Sequence, residues 1–185
     1  VLDMPLGYIR PKEKSYEGGT TERILNEELV QQIRTLASKE GVTEYMIFLS
    51  AAMIMLGKYS RQEDIVIGSP ISGRTHKDTE GMLGMFVNTL AMRGKPERTK
   101  HYGTFLREIK EICLKAYENQ EYPFEELVEA VNVPRDMARN PLFDVMFIMQ
   151  NNEKVEIELD GMKTEEEDDE MHISKFDLTF EVYEF

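Results

Sequence analysis

Cys113 is the only cysteine in this sequence, so no internal disulfide can brace the fold, and such sparse use suits a reducing compartment. Long hydrophobic runs are missing too. Nothing approaches the roughly 18 consecutive apolar residues that would span a bilayer. The opening stretch Val1-Leu2-Asp3-Met4-Pro5 has neither the basic start nor the apolar stretch of a secretory signal. The expected location is therefore cytoplasmic. Basic charge is also scarce: 22 Lys and Arg stand against 35 Asp and Glu, a formal net charge of −13. Nucleic acid needs a basic footprint and is excluded as a partner; an anionic membrane surface is disfavoured on the same ground. The histidines, His76, His101 and His172, are far apart and fit no zinc-ligand spacing, so no metal is expected. A Gly-x-Ser-x-Gly elbow is lacking. Gly68-x-x-x-x-Gly73-Arg74 has the outline of a phosphate loop, but Arg stands where Lys is needed and Pro70 interrupts the turn.

What the chain does have is enough apolar material, 41% of 185 residues, for one large domain or a substantial piece of one. Residues 1–19 read as a linker, with Pro5, Gly7, Pro11, Gly18 and Gly19 among polar neighbours. Thr20–Leu25 reads as a short strand. Asn26 caps a helix with Leu29, Ile33, Leu36 and Ala37 on its apolar face, and Gly41 stops it. Thr43 caps a second helix from Glu44 to about Tyr59, apolar almost all round and hence buried on most sides. The continuous apolar run Asp64–Ile71 has the character of a central strand. Met85–Arg93 reads as another strand. Tyr102, Phe105, Leu106, Ile109, Ile112, Cys113 and Ala116 recur at helical spacing, which makes Cys113 a packed core thiol. Pro123 opens a short helix to Val131. Phe143–Met149, the alternating Val155-Ile157-Leu159 with its Asp160-Gly161 turn, and Phe176–Val182 read as strands. The six carboxylates Glu165–Glu170 read as a solvated loop; the spacing of a calcium loop is absent. The pattern predicts an α/β two-layer sandwich of a mixed sheet with helices.

Three motifs carry a resemblance. Gly84-Met85-Phe86-Val87-Asn88-Thr89-Leu90-Ala91-Met92-Arg93 resembles Gly-x-Phe-Val-Asn-Thr followed by an apolar stretch and Arg. Asn119-Gln120-Glu121-Tyr122-Pro123-Phe124-Glu125 resembles His/Asn-Gln-Asp-Tyr-Pro-Phe-Glu, with Glu for Asp at 121. Arg135-Asp136-Met137-Ala138-Arg139-Asn140-Pro141-Leu142 resembles Arg-Asp-x-Ser-Arg-Asn-Pro-Leu, with Ala for Ser at 138. In that order they are similar to motifs of the condensation domains of nonribosomal peptide synthetases, and the stretches Tyr59–Arg74 and Ser174–Thr179 are similar too. The family's active-site signature, His-His-x-x-x-Asp-Gly, has no counterpart, since no two histidines are adjacent.

The resemblance implies a chloramphenicol acetyltransferase-like half-domain. Residues 1–19 would be a linker from the N-terminal half, and 20–185 a C-terminal subdomain truncated at its end. Two such halves form a V whose tunnel admits the phosphopantetheine arms of donor and acceptor peptidyl carrier domains, where an acceptor amine attacks a donor thioester to make a peptide bond. Implied partners are the N-terminal half, the two carriers and an adjacent adenylation domain. No cofactor is bound directly, and this half alone is expected to be inactive, with its exposed face prone to self-association. Phe86, Asn88, Thr89, Pro123, Phe124, Arg139 and Asn140 are the candidate tunnel or motif residues, and Arg74 a candidate structural clamp for the signature Asp of the other half. Plainer alternatives stand beside them: Phe86 and Val87 in the core, Asn88 capping a turn, Pro123-Phe124 starting a helix, Arg139-Asn140-Pro141 holding a loop, and Arg74 an exposed loop residue. Most are expected to be structural, with Asn88, Arg74 and Asn140 the exceptions facing the tunnel. The rivals are an epimerization relative, a docking half that never touches substrate, and a coenzyme A acyltransferase, whose motifs these are not.

Overall fold

The computed structural model describes residues 2–134, 136–150 and 172–183. In chain order these form α1 (Glu27–Glu40), α2 (Glu44–Ser60), β1 (Ile65–Ile71), β2 (Asn88–Gly94), α3 (Tyr102–Glu118), α4 (Phe124–Val131), β3 (Val145–Gln150) and β4 (Leu178–Tyr183), with a 3₁₀ turn at Lys77–Thr79. The expected strand around Val155–Leu159, the Asp160-Gly161 turn, the acidic run Glu165–Glu170 and Arg135 lie outside the described residues.

Local chemistry sets the helix limits. Asn26 accepts from the Leu29 N–H at 2.9 Å at the start of α1, and Gly41 takes the left-handed conformation at its end (φ 62°). Thr43 caps α2 through the Met46 N–H. The strands form one mixed sheet in the order β2-β1-β3-β4. β1 runs antiparallel to β2, from Ile65 opposite Gly94 to Ile71 opposite Asn88, and β3 lies parallel to both β1 and β4. Thus β1, flanked on both sides, is the central strand that its unbroken apolar run predicted.

Side chains alternate across the sheet. Ile65, Ile67, Leu90, Met92, Val145 and Phe147 pack with Leu49, Met53, Leu56, Phe105, Ile109 and Cys113 of α2 and α3 in one core. A polar rivet crosses it: the Tyr45 hydroxyl of α2 donates to Ser69 at 2.8 Å, and Ser69 donates to the Phe147 carbonyl at 3.0 Å. Burial pushes the Tyr45 hydroxyl well above its ordinary pKa, which keeps it a donor. Gly68 has its missing Cβ turned the other way, and a methyl there would collide with the Phe143 ring. Phe143 therefore lies on the face opposite α2. On that face Val66, Pro70, Thr89, Ala91 and Ile148 are only half-covered.

Four elements differ from the sequence reading. Thr20–Leu25 forms no strand: it is exposed throughout and pairs with no strand among the described residues, although Glu22 accepts from the Tyr183 hydroxyl of the edge strand β4 at 3.2 Å. β2 starts at Asn88 rather than Met85, because its partner β1 ends at Ile71 and the chain turns at Gly73 (φ 63°). β3 starts at Val145 rather than Phe143, because Leu142 adopts a left-handed conformation (φ 66°) that turns Phe143 back over Gly68. β4 starts at Leu178, with Phe176 stacked on Phe143 at 6.0 Å between centroids. Residues 2–19 hold no helix or strand beyond an isolated bridge between Glu17 and Ile173, yet Leu2 is buried and Met4 packs on the core.

Candidate functional site

The candidate residues fall in two groups. The first lies where β1 ends and β2 begins. Asn88, the first residue of β2, uses every hydrogen-bonding position its amide has. Its Nδ2 donates to the carbonyls of Gln120 (2.8 Å) and Tyr122 (2.9 Å), and its Oδ1 accepts from the N–H groups of Thr89 (2.9 Å) and Phe124 (3.1 Å). One side chain thereby fastens the turn between α3 and α4 to the sheet and caps the first turn of α4. Pro123, at the N-cap of α4 with φ −63°, has no N–H to leave unpaired there. Thr75 reinforces the same junction by donating to Glu121 at 2.8 Å. Thr89, the next residue, is half-buried on the face of the sheet away from α2.

Arg74 organises the loop that leads into this group. Its Nη1 donates to the Thr79 carbonyl, its Nη2 donates to the Gly84 carbonyl at 3.2 Å, and its guanidinium lies 4.3 Å from the Phe86 ring centroid. A flat cation over an aromatic face, with its edge nitrogens on carbonyls, makes a rigid loop root. The loop beyond it is apolar and bare: Met82, Leu83, Met85 and Val87 are all more than half exposed.

The second group sits at the start of β3 and β4. Asp144 is 2% exposed. A carboxylate so buried costs several kcal/mol unless it is paired and hydrogen-bonded. Arg139 Nη1 supplies the charge at 2.7 Å, and the Asn140 N–H supplies a second bond at 3.2 Å. Arg139 also donates to the Leu2 carbonyl at 2.9 Å, and Asn140 Nδ2 donates to the Lys175 carbonyl at 3.1 Å. The two groups meet through aromatics: Phe124 lies 5.4 Å from Phe143, which in turn stacks on Phe176. Arg10 donates from Nη1 to Asp177 Oδ1 at 3.0 Å and to the Ala138 carbonyl at 3.2 Å beside them. Asp144, Asp177 and Arg10 lie outside the three sequence motifs; only the Asp directly after Leu142-Phe143 hinted that an apolar run held a charge.

Cys113, the one thiol of the sequence, lies in the core apart from these groups, and no metal site accompanies them among the described residues. Cys113 is fully buried, and burial pushes its thiol up to about 12. No three His, Cys, Asp or Glu of the described residues gather as metal ligands. A groove beside β2, lined by Arg93, Lys95, Lys100, Glu108, Glu111 and Ile112, contains none of the candidates. No single described helix is long and apolar enough to cross a membrane.

The sequence matches the family model described as the condensation domain over residues 1–185. The chain belongs to that family. Relatives include bacitracin synthase 3 from Bacillus licheniformis, 47% identical over 184 residues, which are 100% of this chain and 3% of that protein. Tyrocidine synthase 3 from Brevibacillus parabrevis is likewise 47% identical over 184 residues, 100% of this chain and 3% of that protein. The chain thus spans only a small fraction of the curated relatives it matches. Among solved structures, a four-domain nonribosomal peptide synthetase bound to AMP and glycine superposes with TM-score 0.80 at 27% identity, over 82% of this chain and 12% of that one. The X-domain from teicoplanin biosynthesis gives TM-score 0.88 at 21% identity over 98% of this chain and 41% of that one, a likeness of fold. The condensation domain of the Monacolin K polyketide synthase MokA shares the mixed-sheet α/β fold, with TM-score 0.62 at 21% identity over 80% of this chain and 39% of that one.

Proposed function

We propose that this chain is the C-terminal half of a nonribosomal peptide synthetase condensation domain and forms one wall of its reaction tunnel. There a donor aminoacyl or peptidyl thioester is attacked by an acceptor amine, both held on phosphopantetheine carriers. The observation that carries the proposal is the sheet face opposite α2, where Val66, Pro70, Thr89, Ala91 and Ile148 stay partly exposed among the described residues. An apolar sheet face left half-covered in one layer is suited to pack against, or form a cleft with, a second. Thr89 is the motif residue on that face, whereas Asn88, Pro123, Phe124, Arg139 and Asn140 hold the turns that border it.

The division of labour follows from what the residues can do. This chain has no two adjacent histidines, so the histidines of the family signature would come from the preceding half. Aminolysis of a thioester is downhill, and holding two tethered reactants at near-attack distance supplies much of the acceleration. A rigid wall is therefore a chemical contribution. Arg74 fixes the loop 82–87 at the mouth of this wall; it also remains the candidate clamp for the signature Asp of the other half. Phosphopantetheine arrives on the carriers, with an adjacent adenylation domain loading them in the cytoplasm.

The test is a carrier whose pantetheine bears a photo-crosslinker, bound to the intact domain. Labelling of this half at Thr89 or in the loop 82–87 is expected. Crosslinks confined to the preceding half would instead support a docking half that never meets substrate.

A further inference from the structure

Pro70 lies within the central strand β1 and has no N–H to give to a ladder. The Phe147 carbonyl of β3 is taken instead by Ser69 Oγ at 3.0 Å, a side chain standing in for the missing backbone donor. Pro70 therefore faces β3, as does Gly68, the residue bridged to Met146. Backbone groups alternate along a strand, so Ile65, Ile67, Ser69 and Ile71 face β2. Opposite them, Gly94, Met92, Leu90 and Asn88 face β1. Among the described residues β2 is an outer strand of the sheet, and Thr89, Ala91 and Arg93 turn their N–H and carbonyl groups toward its free edge.

This edge is closed at its ends and open between them. The Thr89 N–H donates to Asn88 Oδ1 at 2.9 Å, and the carbonyl of Lys95, the next outward position, accepts from Lys100 Nζ at 2.9 Å. Among the described residues nothing takes the outward groups of Ala91 and Arg93. Devices that blunt a sheet edge are missing from 88–94: no proline stands there, and the register with β1 runs without a bulge. The Arg93 guanidinium does not guard the edge either, because it is drawn back onto Asp64 of its own sheet at 2.6 and 2.8 Å. A groove of about 580 Å³ lies alongside, lined by Arg93 and Lys95 on the β2 side and by Glu108, Glu111 and Ile112 of α3 on the other. A further strand, about 4.8 Å from β2, has room there.

We infer that β2 is the seam of a symmetric dimer, in which two copies of this chain pair their β2 strands antiparallel about Ala91 and join their sheets into one. The edge itself selects that register. A two-fold at Thr89 would ask for an N–H that Asn88 already holds, and one at Arg93 would set two like charges opposite each other. At Ala91 the two alanines exchange N–H···O bonds, and each Arg93 N–H reaches the Thr89 carbonyl of the other copy. Charge agrees with this arrangement. α3 runs back along β2, from Ile109 beside Gly94 to the turn held by Asn88, so the two-fold lays the two α3 helices antiparallel. The exposed Glu111 of each copy then lies toward the exposed Lys115 of the other. Val87, 61% exposed, comes opposite Lys95 of the other copy, whose methylene stem can cover it.

The test reads the register directly. Ala91→Cys sets two thiols across a hydrogen-bonded pair, whose Cα spacing of about 5.5 Å lies within disulfide reach. Mild oxidation of this chain should join Ala91→Cys into a covalent dimer at least about tenfold faster than Leu83→Cys, which sits in the exposed loop before β2. Cys113, buried in the core, stays out of the reaction. Thr89→Cys and Arg93→Cys should crosslink when mixed with each other and hardly at all when alone. In sedimentation the unaltered chain should run as a dimer. Ala91→Pro removes only an outward N–H, so it should run as a monomer with unchanged far-ultraviolet circular dichroism. An unaltered chain that stays monomeric at high protein concentration overturns the inference, and so does a dimer that survives Ala91→Pro. Crosslinking through Leu83→Cys as fast as through Ala91→Cys also overturns it, and places the contact in the loop 82–87 instead.

Discussion

Asn88 offers the sharpest test of how the motifs work. Its amide makes three bonds to the α3–α4 turn, to the carbonyls of Gln120 and Tyr122 and the N–H of Phe124, besides one to the neighbouring Thr89 N–H. Asn88→Ala removes all three long-range bonds from a half-buried site. At about 1 kcal/mol net for each, the loss is about 3 kcal/mol. For a chain of this size each kcal/mol moves the melting temperature by roughly 2–4 °C, so a drop of about 6–12 °C is expected. Asn88→Asp is the more telling change, since it keeps shape and acceptor but puts a carboxylate oxygen against two carbonyl oxygens. It should cost at least as much at neutral pH, and acidification should relieve part of the deficit by returning one donor. Thermal and urea unfolding of both variants would measure this. An Asn88→Asp protein melting within about 1 °C of the unaltered chain would refute the clasp, and would leave contact with substrate as the role for Asn88.

Three further outcomes follow from the same reasoning. Arg139→Met leaves Asp144, 2% exposed, as an unpaired buried charge, so urea unfolding should show a loss of about 3–5 kcal/mol, with Arg139→Lys recovering part. Cys113, raised from 9.0 to about 12, and Tyr117, raised from 10.0 to about 12, both by burial, hold their protons more tightly when folded. Stability should therefore fall as pH rises above about 9, by up to about 1.4 kcal/mol per pH unit from Cys113; a thiol reagent at pH 8 should meanwhile react with Cys113 only on unfolding. The exposed Met82, Leu83, Met85 and Val87, with the half-covered sheet face, should make this half self-associate despite its charge of −13; sedimentation of a clean monomer across a wide concentration range would count against that.

Much of the fold was legible because its determinants are local. The Asn26 and Thr43 caps, Gly41, and the helical recurrence from Tyr102 to Ala116 each act within a few residues, and α1 to α3 follow them closely. Strand ends were less legible, since they depend on where a partner stops: Met85 to Val87 are apolar enough for a strand, but β1 has already ended opposite Asn88. Phe143 and Phe176 looked like strand residues for the same reason, although both rings fold back over the sheet. The clasps were hidden by distance. Asn88 meets its partners 32 to 36 residues on, and Arg10 meets Asp177 from a stretch whose glycines and prolines read as a linker. Motif resemblance located the first clasp without revealing its bonds, and nothing local marked the second.

The central claim, that this half shapes the reaction but lacks its acid–base group, is tested most directly by turnover. Incubate the chain with a loaded donor carrier and a loaded acceptor carrier, with and without the N-terminal half of the parent domain, and follow dipeptidyl thioester by mass spectrometry. The account predicts no product above background from this chain alone and product when the two halves are joined. Turnover by this chain alone at a rate comparable to the joined domain would contradict it.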